Sequence, residues 1–270
     1  MTTYFSRLNH LVAERGALCV GIDPQPSMLA AWGLTNCVED VEFLCRSVVE
    51  ACADIAAAFK PQSGFFEPYG SAGIAVLERI LDDIRQSKAV SILDVKRGDI
   101  GSTMAGYARA YLEPGCLLEA DAITVSPFLG FESLRPALDL ASKNDKGIYV
   151  LAKTSNPEGG DVQSAQTQSG ISVTQYVIEA AQRENSTTGL NHVGLVIGAT
   201  HHDLGCDVSR FSGSILAPGI GAQGGTIDRM RQLFGDALAS VLPTASRQII
   251  SAGPNRETIR KTAERLRLTR

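Results

Sequence analysis

Eight short apolar runs recur along the chain, and each is separated from the next by a longer stretch with a different pattern. The runs occupy residues 17–23, 53–61, 89–96, 122–126, 147–154, 192–200, 214–221 and 239–246. Nearly every residue within them is apolar, as expected of parallel strands that are covered on both faces. The repeat therefore predicts eight buried parallel strands, and no other feature of the sequence constrains the fold as strongly.

The stretches between the runs show the spacing of amphipathic helices. Apolar residues recur at steps of three and four in several of them, namely Val41, Leu44, Val48 and Cys52, then Ile74, Leu77, Leu81 and Ile84, and later Val173, Val177 and Ala181. Eight strand–helix repeats predict an α/β chain folded as a (β/α)8 TIM barrel, in a single domain over residues 1–270. A doubly wound open sheet is the alternative, because periodicity alone does not separate the two. The polar, glycine-rich segment 156–170 is predicted to be a long loop.

The composition is that of an ordinary globular protein, with 44% hydrophobic and 20% charged residues. A net charge of −4 argues against a general affinity for nucleic acid or for an anionic membrane, so any phosphate must be recognised locally. No apolar segment is long enough to cross a bilayer, and the charged N-terminal segment does not resemble a signal peptide. The six cysteines form no C-x-x-C pair and are expected to be reduced thiols, so the sequence predicts a cytoplasmic protein.

Polar side chains cluster where the predicted strands end. In chain order they are Asp23, Lys60, Asp94, Lys96, Thr154 and Ser155, and Pro218 with Gly219 ends the seventh strand. In a barrel of parallel strands, the carboxyl ends of the strands form the face on which active sites are built. The sequence therefore predicts a functional site at this face.

The segment 92–103 contains the most informative group of charges. Residues two apart in a strand share a face, so Asp94 and Lys96 are expected to point together into the barrel mouth, with Asp99 following at a glycine turn. Asp23 and Lys60 belong to the neighbouring strands and could extend the group into an alternating array of acids and amines. Carboxylates on both sides of Lys96 would keep it charged in a shielded pocket, where an ammonium can stabilise or protonate a carbanion. The alternative is a solvated surface cluster of ion pairs with no chemistry.

A second signal indicates phosphate binding. The glycine-rich segment 217–226 follows the seventh predicted strand, where exposed backbone N–H groups favour an anion. Gln223 could add a side-chain donor, and Arg247, just after the eighth strand, could supply a bidentate guanidinium. Arg256 is a possible competitor for that role. The alternative for the glycine-rich segment is a plain turn.

One group of residues resembles a metal site, namely His201, His202 and Asp203. Adjacent histidines diverge on a strand or a helix, and no third ligand is obvious. No metal site is therefore predicted, and the sequence contains no cofactor-binding motif.

The segment ILDVKRGDIGST (92–103) resembles the signature of the orotidine 5′-phosphate decarboxylases. The segments LCVGIDPQP, AAFKPQSGFFE, LAKTSNPEGGD, LAPGIGAQGG and LPTASRQIISAGPN resemble the longer, mycobacterial-type branch of that family and occur in the same order. The resemblance spans roughly residues 7–265. It implies a cofactor-free enzyme of UMP biosynthesis that decarboxylates orotidine 5′-monophosphate (OMP).

The resemblance also implies roles for individual residues. Lys96 would donate the proton to C6 of the pyrimidine, Asp94 would lie beside the reacting carboxylate and fix Lys96, and Lys60 would complete the charged chain and contact the ribose. Asp99 and Thr103 would reach into the active site of the neighbouring subunit of a homodimer. The remaining substrate-binding residues implied are Asp23 at a ribose hydroxyl, Ile100 near the substrate, Ser155 at the ring, and Pro218, Gln223 and Arg247 at the phosphate.

The sequence departs from the shorter branch of the family at the position of the phosphate-binding arginine. The shorter branch of the family has a Gly-Arg pair at the end of the last strand, whereas this chain has Ala-Ser-Arg at 245–247 and a second arginine at 256. Arg247 fits the pattern of the longer branch and is preferred.

Two other functions are compatible with a barrel of this kind. Related barrels such as hexulose-phosphate synthases and ketogulonate-phosphate decarboxylases share the D-x-K-x-x-D pattern and use Mg²⁺ to stabilise an enediolate. A non-catalytic nucleotide-binding barrel is the third possibility. The paired acids argue against it, because a pure binder has no need to place two carboxylates against a carboxylate of its ligand.

Overall fold

Eight parallel strands close into a barrel in a computed structural model that describes residues 3–220 and 226–268. The strands are β1 (Cys19–Ile22), β2 (Ala58–Pro61), β3 (Val90–Arg97), β4 (Ala122–Val125), β5 (Gly147–Lys153), β6 (Val193–Ile197), β7 (Ile215–Pro218) and β8 (Val241–Ala245). Each strand pairs with its neighbours in sequence, and β8 returns to pair with β1. The predicted (β/α)8 barrel is confirmed, and the open-sheet alternative is wrong.

Helices cover the outside of the barrel. The α-helices are α1 (Tyr4–Arg15), α2 (Pro26–Ala31), α3 (Val38–Cys52), α4 (Gly70–Gln86), α5 (Gly101–Leu112), α6 (Arg135–Lys143), α7 (Gly160–Gln163), α8 (Val173–Thr188), α9 (Ile227–Phe234), α10 (Arg247–Ile250) and α11 (Arg256–Arg265). Short 3-10 helices lie at Ser63–Phe65, Glu67–Tyr69, Phe131–Leu134, Pro157–Gly159 and Gly235–Ser240. The three stretches with predicted helical spacing fall in α3, α4 and α8. None of the helices in the described residues is long and apolar enough to cross a membrane.

The structure departs from the expected repeat in two places. The connection between β6 and β7, residues 198–214, contains no helix. It is rich in glycine, aspartate and serine, which favour turns over helices. The segment 156–170, predicted to be a loop, contains a 3-10 turn and the single turn of α7, and an isolated bridge between Gln166 and Ser172 closes its far end.

The apolar core forms two layers separated by the sheet. The outer layer lies between the strands and the helices, and the inner layer fills the barrel with inward-facing side chains such as Ile92, Leu216 and Leu242. Helix α1 closes the amino-terminal end of the barrel, where the Tyr4 hydroxyl donates to the Tyr149 hydroxyl at 3.1 Å. With this end packed by side chains, the opposite end is left for a ligand.

Candidate active site

A cavity opens at the carboxyl ends of the strands, and its wall is formed by residues that lie on, or directly after, each of the eight strands. In strand order its lining includes Asp23, Lys60, Asp94, Lys96, Thr124, Leu151, Val196, Leu216, Pro218 and Thr244. Asp23 directly follows β1 and the others lie on β2 to β8, at or near the ends that face the barrel mouth. Because inward-facing residues alternate along a strand, the cavity forms the next layer above the apolar interior.

The structure brings most of the predicted site residues to this cavity. Those that line it are Lys96, Asp94, Lys60, Asp23, Ser155, Pro218 and Arg247. Asp99, Ile100 and Thr103 do not line it; they lie on the loop after β3 and at the start of α5. Gln223 lies outside the described residues.

The carboxylate of Asp94 is the centre of the hydrogen-bonding network. Its Oδ1 accepts from Lys96 Nζ at 2.6 Å and from Thr124 Oγ1 at 2.7 Å. Its Oδ2 accepts from Lys60 Nζ at 2.8 Å and from Gln62 Nε2 at 2.9 Å. A carboxylate offers about four acceptor sites. All of them are used, so the carboxylate is held in one orientation.

Opposite charges determine how the buried members of this network ionise. Burial alone raises the pKa of Asp94, but the ammonium groups of Lys60 and Lys96 outweigh it and hold that pKa well below its usual range. Burial alone lowers the pKa of Lys60, but the charges of Asp94 and Asp23 outweigh it and raise that pKa above its usual range. Asp94 and Lys60 are therefore a carboxylate and an ammonium across the physiological pH range.

Asp23 retains an unused acceptor. Its Oδ1 is buried, lies 3.9 Å from Lys60 Nζ, and has no hydrogen-bond partner among the described residues. A buried polar atom without a partner is costly, and Asp23 lines the cavity, so the site favours a ligand that donates a hydrogen bond to this carboxylate.

Lys96 differs from its predicted environment. Its side chain is 46% exposed, and Asp94 is its only ion-pair partner in the described part of the chain. Asp99 does not flank it, because the Asp99 carboxylate accepts the backbone N–H of Ile100 at 2.8 Å instead. Within one chain the expected shielded position of Lys96 between Asp94 and Asp99 is therefore wrong. The strand β3 ends at Arg97, and Asp99 lies in the short loop between β3 and α5.

The backbone of β3 is irregular where it carries the lysine. Leu93 pairs with Ile123 and Arg97 pairs with Val125, so three residues of β3 lie opposite the single residue Thr124. Lys96 has φ +47°, a region that costs an L-residue roughly 1–2 kcal/mol. Backbone strain of this kind is concentrated at functional sites.

The far side of the cavity carries the predicted phosphate-binding residues that the structure describes. Arg247 begins α10 directly after β8 and lines the cavity together with Pro218 and Gly219. Its guanidinium has no ion pair within residues 3–220 and 226–268. Arg256, in contrast, pairs with Glu50 and does not line the cavity.

Sequence reasoning missed Gln62, Thr124 and Ser246. Gln62 lies two residues after Lys60 and therefore on the same face, and Thr124 is the only polar residue within β4. Either signal could have identified them. The buried hydroxyl of Ser246, which lines the cavity beside Arg247 and has no partner among the described residues, shows no signal in the sequence.

The candidate metal cluster is not assembled. Across the described ranges, no three histidine, cysteine, aspartate or glutamate side chains are placed to hold a metal ion together. His202 and Asp203 line a separate surface depression beside Arg229.

Comparison with known proteins gives consistent matches over nearly the whole chain. A family model described as orotidine 5′-phosphate decarboxylase / HUMPS family matches residues 16–262. An orotidine 5′-phosphate decarboxylase of Salinispora arenicola is 49% identical over 267 residues, covering 98% of this chain and 96% of the relative. The Streptomyces coelicolor protein of the same name is 47% identical over 266 residues, with 98% and 96% covered.

Solved structures agree with the sequence matches. The crystal structure of a protein from Streptomyces avermitilis, described as a possible orotidine 5′-phosphate decarboxylase, superposes with a TM-score of 0.95 at 45% identity, covering 99% of this chain and 94% of that one. An OMP decarboxylase of Leishmania donovani superposes with a TM-score of 0.77 at 29% identity, covering 98% and 96%.

Proposed function

The chain belongs to the orotidine 5′-phosphate decarboxylase / HUMPS family, and from that premise we propose that it converts OMP to UMP and CO2 without a cofactor. One observation carries the proposal. The Lys60–Asp94–Lys96 network and the guanidinium of Arg247, which has no ion pair among the described residues, line the same cavity. A nucleotide that bridges the two would place its ring at the lysine and its phosphate at the arginine.

The chemical problem is the electron pair that remains when CO2 leaves. The C6–carboxylate bond breaks, and the pair stays in an in-plane orbital that the ring π system does not absorb readily. The Lys96 ammonium stabilises this charge and then transfers a proton to C6, which gives UMP and a neutral lysine that regains its proton from solvent. Asp94, hydrogen-bonded by four donors, holds Lys96 in place.

The rest of the nucleotide supplies binding energy at a distance from the reaction. Asp23, whose Oδ1 has no hydrogen-bond partner in the described part of the chain, accepts a ribose hydroxyl, and Lys60, 3.9 Å from that oxygen, contacts the same sugar. Ser155 contacts the pyrimidine ring, while Pro218, Gln223 and Arg247 surround the phosphate. Binding energy from the phosphate offsets the free-energy cost of holding the substrate carboxylate near Asp94.

The active site is completed by a second copy of the chain. Asp99, Ile100 and Thr103 do not line the cavity of their own subunit, and Lys96 is half exposed. The adjacent loops after β3 and β4 expose apolar side chains, with Ile100 62%, Phe128 79% and Leu129 53% exposed. Exposed apolar patches of this kind mark interfaces. In the homodimer, Asp99 and Thr103 of each subunit approach the Lys96 of the other.

The alternative within this family is a Mg²⁺-dependent sugar-phosphate enzyme. Both oxygens of Asp94 already bind ammonium groups, which would repel a divalent cation at the same carboxylate. The curated relatives at 42–49% identity are all orotidine 5′-phosphate decarboxylases by name. OMP decarboxylation, a step of cytoplasmic pyrimidine biosynthesis, is therefore the better-supported function.

The test mixes purified protein with OMP in excess EDTA and follows the loss of substrate ultraviolet absorbance and the release of CO2. We expect undiminished UMP formation in EDTA. Lys96→Ala should lower kcat by at least about 10³-fold because it removes both charge stabilisation and the proton donor. The affinity of the Lys96→Ala variant for UMP should differ little from that of the wild-type protein.

Lys143→Ala is the matched control, since this α6 lysine does not line the cavity. It should leave kcat unchanged. Loss of wild-type activity in EDTA, or near-normal turnover by Lys96→Ala, would overturn the proposal.

A further inference from the structure

Thr124 occupies an unusual position in the network, because one hydroxyl connects two parts of β3. Its Oγ1 accepts the backbone N–H of Lys96 at 2.9 Å and donates to Asp94 Oδ1 at 2.7 Å. The directions are unambiguous, since a backbone N–H only donates and an ionised carboxylate only accepts. Thr124 is buried, with 1% of its surface exposed.

The Thr124 hydroxyl replaces a backbone hydrogen bond that is missing between β3 and β4. Where β3 bulges between Leu93 and Arg97, Thr124 is the single residue opposite, and the Lys96 amide donates to its side chain instead of to a backbone carbonyl of β4. The positive φ of Lys96 is unfavourable and persists only if surrounding contacts hold it. The Thr124 hydroxyl supplies such a contact.

The same hydroxyl also orients the partner of the lysine side chain. Lys96 Nζ and Thr124 Oγ1 both bind Asp94 Oδ1. Thr124 therefore holds the lysine at its backbone directly and at its ammonium through Asp94. Since its one hydrogen is already donated to Asp94, the Thr124 hydroxyl has no proton free for the reaction.

We propose that Thr124 is a positioning residue for decarboxylation: it holds the bulged backbone of Lys96 and the carboxylate of Asp94 so that the ammonium faces the reacting carbon. The inference rests on the proposed function. A misplacement of about 1 Å in a reacting group lowers rates by about 100-fold, even when substrate binding is retained. The effect of losing the hydroxyl should therefore appear in kcat and not in KM.

The test compares Thr124→Val, which keeps the side-chain shape without the hydroxyl, with Thr124→Ser, which keeps the hydroxyl. We expect Thr124→Val to lower kcat by about 10- to 100-fold with KM within about threefold of wild type. Thr124→Ser should retain most of kcat. Hydrogen exchange should show that the Lys96 amide is protected in the wild-type protein and in Thr124→Ser but exchanges faster in Thr124→Val.

Ser91 provides a matched control at the opposite end of β3. Its hydroxyl also accepts a backbone N–H and donates to a carboxylate, although both groups belong to one residue, Asp121, at 2.9 Å for the N–H and 3.1 Å for Oδ2. Ser91→Ala removes one buried bridging hydroxyl far from the cavity and should leave kcat unchanged.

The outcomes separate the two proposals. A wild-type protein that does not decarboxylate OMP overturns the proposed function. A wild-type protein that does so, together with undiminished kcat in Thr124→Val, an equal fall of kcat in Ser91→Ala, or unchanged exchange at the Lys96 amide, overturns the positioning role alone.

Discussion

At the scale of single residues, the centre of the site is the buried ion pair of Asp94 and Lys60, whose two members differ in the number of groups that contact them. Asp94 binds four donors, whereas the Lys60 ammonium has Asp94 at 2.8 Å and only a distant second acid, Asp23, at 3.9 Å. Removing one partner of a buried pair is strongly destabilising, because an uncompensated charge stays behind. Removing the Asp94 carboxylate and removing the Lys60 ammonium should therefore lower the free energy of unfolding by different amounts.

Asp94→Ala should lower the free energy of unfolding by about 3–5 kcal/mol, because it leaves Lys60 buried without its near partner. Lys60→Ala should cost less, because Asp94 keeps Lys96, Gln62 and Thr124 as donors. Urea unfolding of the ligand-free variants measures both values. A larger loss in Lys60→Ala would contradict this account of the pair.

The same pair predicts a pH dependence. The lowered pKa of Asp94 contributes stability that is present above its unfolded value of about 4 and is lost as pH falls below that value. The raised pKa of Lys60 contributes stability that is present below about 10 and is lost as pH rises further. The stability difference between wild type and the double variant Lys60→Ala/Asp94→Ala, which leaves neither buried charge to titrate, should thus be constant from about pH 5 to 9. A slope within that window would refute the charge assignment.

At the scale of elements, the contact between β1 and the end of β8 sets the position of Arg247. A Cβ atom built on Gly21 would lie 2.6 Å from the Cβ of Ser246, which immediately precedes Arg247. Gly21 is therefore needed because the backbone leading into α10 crosses closely over β1. Ser246 in turn occupies the space that a side chain at position 21 would fill.

Gly21→Ala should lower the free energy of unfolding by about 1–3 kcal/mol through overpacking. The added methyl group should also displace the start of α10, so that KM rises. The double variant Gly21→Ala/Ser246→Gly removes the clashing atoms and should recover more than half of the lost stability. If the losses in free energy of unfolding from Gly21→Ala and from Ser246→Gly simply add in the double variant, the contact between these two residues is not the cause of the destabilisation.

At the scale of the whole molecule, the proposed homodimer predicts complementation between inactive chains. Lys96→Ala and Asp99→Ala should each be inactive as homodimers. A mixed dimer contains one complete site, built from the Lys96 of one subunit and the Asp99 of the other. Random mixing makes about half of the dimers mixed, with one working site each, so activity should recover to about a quarter of the wild-type value per chain.

The mixture is prepared by refolding the two chains together and is assayed with OMP, while sedimentation gives the mass of the assembly. Mixing without subunit exchange is the control and should stay inactive. A monomeric protein, or a mixed sample with no recovery, would exclude a shared site.

Much of the fold followed from local pattern. Apolar runs such as 122–126 and 147–154 coincide with β4 and β5 almost to the residue, because strands covered on both faces need continuous apolar sequence. Extending the strand–helix repeat wrongly predicts a helix between β6 and β7. Its absence depends on turn-forming residues in that one connection.

The pattern along the chain predicts eight buried strands and the polar residues at their ends, whereas closure of the strands into a barrel, with β8 pairing to β1, is a property of the folded molecule. The geometry of the site depends on tertiary structure: Asp94 binds four donors from three strands and a loop, β3 bulges opposite Thr124, and the Asp99 carboxylate accepts the Ile100 N–H. The physical reason is that strand periodicity places residues on faces, whereas hydrogen bonds between strands depend on register and bulges, which no single strand encodes.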